Sequence, residues 1–340
     1  MQKEITIYDL AKVLKLSPAT ISRGLKNHQA INKNTRKRII EKAEELGYRS
    51  NNFASNLRKQ KTHTIGVLVH QLNSNFIASV LSGIEKVTAA ANYDILIAHS
   101  SESGKKEVAN ANNLFHKRVD GLIASLAFDT PDLKHFQQYF KRNIPVVFFD
   151  RVEENSDGAK IIIDNYKAAY EATSHLIEQG CKRILHITGN LKRNVYSKRF
   201  SGYKDALEAN NIAFKEELVI IGELSREFSI ATAQQIVKMD PMPDGLFTID
   251  VTAALSIQVL KEHGLRVPED IAVVGFNNDT IGIISNPQLT TINYPAIKMG
   301  ECAATALIDH LEGGADISLG STIVLPSELV IRQSSLKKKT

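Results

Sequence analysis

One guanidinium and several hydroxyls stand close together near the start of the chain: Ser17, Pro18, Ala19, Thr20, Ser22 and Arg23 fall within seven residues. An arginine can present two parallel N–H donors to a planar acceptor pair such as the O6/N7 edge of guanine, whereas Pro18 and Ala19 offer only apolar surface, suited to a thymine methyl. Farther along, Asp150, Asp164 and Asp250 sit at or near the ends of apolar runs. Carboxylates so placed leave a hydrolase with paired acids open on composition. Nothing else in the chain supports catalysis. There is no Walker A run, no Gly-x-Gly-x-x-Gly, no Gly-x-Ser-x-Gly, and the ten histidines form no His-Glu-x-x-His. His186, on an apolar strand, reads as a satisfied core histidine. Cys181 and Cys302 are isolated, without disulfide or zinc spacing, and read as small buried apolar residues. No cofactor is expected.

The elements that must carry Arg23 are short helices. Thr6 precedes Ile7–Leu14 as an N-cap, with Asp9 three residues later as in a capping box. Lys15-Leu16 is a brief connector. Ser17 then caps a second helix running to Lys26, with Pro18 in the first helical position, where a missing N–H costs nothing. Two short helices joined by a tight turn, the second opening with small polar residues and an arginine, describe a helix-turn-helix. Asn32 caps a third helix in which Ile39, Ile40, Ala43 and Leu46 recur at helical spacing before Gly47 stops it. Residues 48–59 follow as a polar linker with few apolar anchors, too short to be a stable helix alone.

Charge separates this head from the rest. Residues 1–62 hold 14 Lys+Arg and 5 Asp+Glu; the remaining residues hold 28 and 32. A strongly basic head on a mildly acidic body is the electrostatic footprint of phosphate binding. No run approaches the ~20 apolar residues of a membrane helix, and the N-terminus lacks a signal-peptide layout. A cytoplasmic protein is expected.

From Thr64 the pattern becomes α/β. Apolar runs at 65–69, 93–98, 119–124, 144–150, 183–189, 245–250 and 271–276 alternate with amphipathic stretches. Such alternation implies parallel sheets with ligands at the carboxyl ends of the strands. Two successive series after one head suggest two lobes with a cleft between them.

Over essentially its whole length the chain resembles the LacI-type bacterial transcriptional regulators. The resemblance rests on Ala19-Thr20-Ile21-Ser22-Arg23, Glu45-Leu46-Gly47-Tyr48, Arg118-Val119-Asp120-Gly121, Arg199-Phe200-Ser201-Gly202-Tyr203, Val267-Pro268-Glu269-Asp270, Val274-Gly275-Phe276 and Leu289-Thr290-Thr291-Ile292. It implies an all-α helix-turn-helix headpiece at 1–47, a hinge helix or linker at 48–61, and an α/β body like a periplasmic binding protein. The body's first lobe would comprise 62–164 and 293–325, its second 165–292 and 326–340, with three crossovers between them. By the same resemblance a homodimer binds a pseudo-palindromic double-stranded operator through Thr6, Ser17, Pro18, Ala19, Thr20, Ser22, Arg23, Lys26, Tyr48, Asn51, Ala54, Leu57 and Arg58. Leu57 would wedge into the minor groove. A small effector, a sugar or sugar derivative, would meet Phe76, Asp150, Arg151, Arg199, Asp250, Asn277 and Tyr294.

The chain departs from the family pattern at several positions. Lys15 stands where the headpiece turn usually has glycine, and Ser50 where proline usually precedes the hinge. Asp250-Val251 falls on the family's Asn-Asp signature, and Asn277 replaces the aspartate after the Gly-Phe pair. Loss of that carboxylate, with Arg151 near Arg199, leans toward an acidic or phosphorylated sugar. A binding protein or enzyme whose helical head merely mediates association is the other functional class left open.

Overall fold

The structure is a computed structural model describing residues 5–48, 61–314 and 320–337. Contacts divide the chain after Thr62 into two units.

In the first unit, α1 (Ile7–Leu14), α2 (Pro18–Leu25) and α3 (Lys33–Glu45) enclose a small core of Leu10, Ala11, Ile21, Ile39 and Ala43. Local chemistry starts each helix. The hydroxyl of Thr6 accepts from the Asp9 N–H while the Asp9 carboxylate accepts from the Thr6 N–H, which completes the capping box. Ser17 and Asn32 cap α2 and α3 through the amides of Thr20 and Thr35. Lys15 closes α1 in the left-handed region, at φ 54° and ψ 42°. The turn therefore keeps the geometry that glycine would favour, at about 1 kcal/mol of strain for a side-chain-bearing residue. Ile40 departs from its expected role: it is 40% exposed, because the buried face of α3 runs through Ile39 and Ala43.

The second unit holds two sheets. The first lobe contributes β1 (Thr64–Val69), α4 (Asn75–Ala90), β2 (Asp94–His99), α5 (Gly104–His116), β3 (Gly121–Ala124), α6 (Gln137–Phe140), β4 (Val146–Phe149) and β5 (Ala159–Ile163). The chain then crosses into α7 (Asn165–Glu178), β6 (Ile184–Thr188), α8 (Asn194–Ala209), β7 (Val219–Ile221), α9 (Arg226–Ile236), β8 (Gly245–Phe247), α10 (Asp250–Glu262), β9 (Ala272–Asn277), α11 (Thr280–Ile284) and β10 (Thr290–Asn293). It returns through α12 (Ala296–Leu311) and β11 (Thr322–Leu325), and crosses a third time into β12 (Glu328–Val330).

Strand order is β11-β5-β4-β3-β1-β2 in one sheet and β12-β10-β9-β8-β6-β7 in the other. Every pairing is parallel except β10 with β12. β1, β3 and β4 are buried nearly throughout, as their continuous apolar runs require. The returning helix α12 locks onto α4 by close backbone approach. A Cβ added to Gly300 would lie 2.0 Å from the Val80 carbonyl oxygen, and one added to Gly83 would lie 2.1 Å from that of Ile297. Only glycine lets the two helices meet there.

Candidate functional site

In the first unit the side chains facing inward and outward on α2 separate cleanly. Ile21 and Gly24 are buried, while Ser17, Ala19, Arg23 and Lys26 are exposed and Pro18, Thr20 and Ser22 half-buried. The Thr20 hydroxyl is tied to that of Ser17 at 2.9 Å. Arg23 makes no hydrogen bond or ion pair among the described residues, so its full donor set is open. Thr6 is exposed at the start of α1, and Tyr48 packs half-buried against the headpiece core. Asn51, Ala54, Leu57 and Arg58 lie outside the described residues.

The second site lies between the two sheets, where strand ends from both lobes converge. Asp150 follows β4, and its carboxylate accepts from the hydroxyl of Tyr294, on the second crossover, at 2.7 Å. Burial raises the Asp150 pKa above the carboxylate norm, opposed by Arg151, the Tyr294 hydrogen bond and Arg199. Tyr294 packs at a tilt against Phe76 from α4, with ring centroids 4.6 Å apart, and meets Phe276 from β9 edge-on at 5.9 Å.

Arg199, on α8, is buried. Its guanidinium carbon lies 3.6 Å above the centre of the Phe276 ring, a cation–π contact in a desolvated setting. Its Nε donates to Asn165 Oδ1 at 2.8 Å, and its two terminal amino groups have no hydrogen-bond partner among the described residues. Burial lowers its pKa, against the pull of Tyr294, Asp150 and Tyr196; a guanidinium nevertheless remains a cation.

Arg151 behaves differently. Its Nη1 meets Glu102 at 2.7 Å and its Nη2 donates to Tyr196 Oη at 3.0 Å. Burial opposes its charge, but Tyr196, Glu102 and Asp150 outweigh burial and raise its pKa. Arg151 is therefore spent on protein partners and adds no free positive charge, which removes its share of the lean toward an acidic effector. The same edge of the cleft is stitched by further polar contacts. Asn190 donates to the Phe128 carbonyl, Arg193 to the Thr130 carbonyl and Asn194 to the Asp150 carbonyl, and the Val152 amide donates to Asn194.

Phe76, Asn277 and Tyr294 line an open groove of about 430 Å³, along with Asn75, Ser79 and Asn278. That size suits a small-molecule ligand. Arg199 lines a smaller inner cavity in the second lobe, together with Phe276. Asp250 lines neither. Its carboxylate accepts from Thr291 Oγ1 and the Asp279 amide, both at 2.6 Å, and an added Cβ on Gly275 would lie 2.0 Å from its Oδ1. Burial pushes its pKa up to about 7.

Sequence reasoning missed several groups here. Tyr196 stands one helical turn before Arg199, so the shared face of α8 could have flagged it. Asn165, which orients Arg199, and His70, bonded through Nδ1 to Ser125 at 3.2 Å, carry no local signal. His186 is buried as expected but only half satisfied: Nδ1 bonds to the Phe247 carbonyl, and Nε2 has no partner. Cys181 is buried, whereas Cys302 is only partly so. Among the described residues no cluster of His, Cys, Asp and Glu could hold a metal, and no helix is long and apolar enough to cross a membrane.

Comparison with known proteins places both units. Residues 6–51 match the model of bacterial regulatory proteins of the lacI family, and residues 173–335 match that of the periplasmic binding protein-like domain. Catabolite control protein A of Priestia megaterium is 30% identical over 333 residues, covering 97% of this chain and 99% of that protein. Among solved structures, a transcriptional regulator CelR–cellobiose complex is 27% identical at a TM-score of 0.72, covering 97% of this chain and 100% of that one. The Lac repressor dimer bound to operator and the anti-inducer ONPF superposes at a TM-score of 0.86 with 23% identity, covering 98% and 100%, a likeness of fold.

Proposed function

The chain belongs to the lacI family of bacterial regulatory proteins, and we propose that it is a transcriptional repressor whose operator affinity is set by a small hydroxylated effector, a sugar or sugar derivative, held between the lobes. It binds a pseudo-palindromic duplex as a homodimer. The exposed face of α2 enters the major groove, with Arg23 on guanine and Pro18, Ala19 and Ser22 beside it. Thr6, Ser17, Thr20, Lys26 and Tyr48 serve backbone contact. Asn51, Ala54, Leu57 and Arg58 extend the interface through the linker.

The observation that carries the effector reading is the buried Arg199 guanidinium with two uncommitted amino groups at the junction of the lobes. A desolvated cation kept without a full set of partners is poised for a polar ligand. Phe76, Asn277 and Tyr294 supply the groove wall; Asp150, Arg151 and Asp250 hold the surrounding frame. The CelR–cellobiose complex is a precedent for a sugar ligand on this fold.

The protein is read as a binding protein of the cytoplasm rather than an enzyme. Asp164 caps α7, and Asp150 and Asp250 are each bonded to separate protein donors, so the three acids are committed to structure. The test is selection of duplexes from a random pool by the full-length protein, followed by anisotropy titration with sugars, sugar phosphates and nucleosides. A palindromic consensus and a ligand that shifts its affinity are expected. Reciprocity requires that DNA change the ligand's affinity by the same factor; a ligand that binds without moving DNA affinity is not the effector.

A further inference from the structure

The inner cavity beside Phe276 is lined by His186, Thr188, Tyr196, Arg199, Leu224 and Thr248, among others. It offers about 10 Å³, room for a single oxygen atom. Two polar atoms on its lining residues are buried without partners: Nε2 of His186, 2% exposed, and Oγ1 of Thr248, 2% exposed. Buried polar atoms are nearly always paired, so two orphans on one cavity point to a group that belongs there.

The chemistry of that group follows from the tautomer of His186. Its Nδ1 lies 3.1 Å from the Phe247 carbonyl oxygen. A carbonyl only accepts, so Nδ1 carries the proton and Nε2 presents a lone pair. The ring cannot swing to hide this acceptor, because it is stacked between Tyr203, at 5.0 Å, and Phe247, at 4.7 Å. Burial also pulls the His186 pKa down to about 4, which keeps the imidazole neutral. The missing partner must donate to Nε2. A carboxylate or fully ionised phosphate has no proton to give; a hydroxyl has one, and its oxygen can still accept from Thr248.

We propose that His186 and Thr248 form a hydroxyl subsite in the second lobe's inner cavity, beside Arg199, in which one effector hydroxyl donates to Nε2 of His186 and accepts from Oγ1 of Thr248. This rests on the reading of the Arg199 cleft as the effector site. It sharpens that reading to a neutral polyol or sugar whose most deeply buried group is a free hydroxyl, with Arg199 gripping a neighbouring oxygen.

The experiment uses full-length protein and a panel of glucose, galactose, ribose, cellobiose, their phosphates and adenosine. Thermal shift identifies the strongest stabiliser, and calorimetry measures it and its single-deoxy analogues. One deoxy analogue should bind wild type at least tenfold more weakly than the parent. Thr248→Val should bind the parent at least tenfold more weakly and no longer distinguish it from that analogue, while Thr248→Ser restores the discrimination. Removing an unpartnered hydroxyl should leave the melting temperature of Thr248→Val at or above wild type. If Thr248→Val discriminates every deoxy analogue as wild type does, the subsite is overturned. A ¹⁵N spectrum showing the His186 proton on Nε2 overturns it too. If Arg199→Ala binds the parent with full affinity, the effector-site reading fails instead.

Discussion

Two regions of this molecule present an arginine for recognition, and they prepare it by opposite means. On α2 every device that places Arg23 is local: the Ser17 cap, Pro18 in the first turn, and Ile21 and Gly24 facing the core. The side chain stands in solvent with its donors open. In the cleft, Arg199 is buried, leans on the Phe276 ring and is aimed by Asn165, 34 positions away in sequence. Its neighbourhood is closed by still longer-range bonds, such as Tyr294 to Asp150 across 144 positions. A surface that reads DNA can be written in one helix, because its side chains stay in water and undergo no desolvation on folding. A buried polar site must be assembled from distant strand ends, and each charge there needs its own partners.

If that contrast holds, substitutions in the cleft should move stability, and those on α2 should move DNA affinity. The largest effect is expected at Asp250. The folded protein holds its proton more tightly than the unfolded chain, with a pKa near 7 against an ordinary 3.8. Its contribution is therefore present at acidic pH and is lost as pH rises across that window. Relative to Asp250→Asn, wild type should lose on the order of 4 kcal/mol between pH 4 and 7. Burial depresses His186 from 6.5 to about 4, so that residue favours the fold above pH 6.5 and loses this advantage as pH falls toward 4. Being common to both proteins, the His186 contribution cancels in the difference. Parallel urea-stability profiles would show that Asp250 ionises normally.

Next comes Arg151→Ala, which strands Glu102 and the Tyr196 hydroxyl in the cleft. Breaking a largely buried pair should cost about 3 kcal/mol, seen as a lower urea midpoint at unchanged m. A loss below about 1 kcal/mol would reduce the pair to the worth of an exposed one.

Arg23→Ala should leave the urea midpoint untouched and weaken operator binding by about 1–3 kcal/mol, relaxing preference at one base pair of each half-site. Equal weakening on all sequences would assign Arg23 to phosphate. The smallest effect is expected at Ser17→Ala. Loss of the cap should destabilise α2 by about 1 kcal/mol, read as faster amide exchange at Thr20 with no change in the second unit. Protection at Thr20 equal to wild type would remove Ser17 from the cap.

The same contrast explains what the sequence made legible. The three headpiece helices and their caps could be read from Thr6, Ser17 and Asn32, since capping is a matter of spacing over three residues. The alternating strands from Thr64 onward announced parallel sheets. Less visible were β5, β7, β10, β11 and β12; the last two are short edge strands, with little of the continuous burial that marks a central one. In the cleft, resemblance pointed to Arg199, but no pattern showed that Arg151 would be consumed by Glu102. Nor did one show that Asp250 would turn inward to Thr291. Both depend on segments that meet only after folding. His186 illustrates the limit well: its strand predicted burial correctly, and burial alone could not say whether the second nitrogen would find a partner.

The stitching along one edge of the cleft has a thermal consequence. Asn190, Arg193 and Asn194 join the lobes through hydrogen bonds to backbone groups at Phe128, Thr130, Asp150 and Val152. Parting such an edge wets amides and a guanidinium as well as the Phe128 and Tyr196 rings, which meet edge-on at 6.0 Å. Exposure of polar surface lowers heat capacity where apolar exposure raises it. The polar and apolar contributions oppose each other, so the opening of this edge should carry a small heat-capacity change and a nearly constant enthalpy. An edge built this way fixes the enthalpy of its own opening, so a plot of the logarithm of that equilibrium against inverse temperature should run nearly straight from cold to warm.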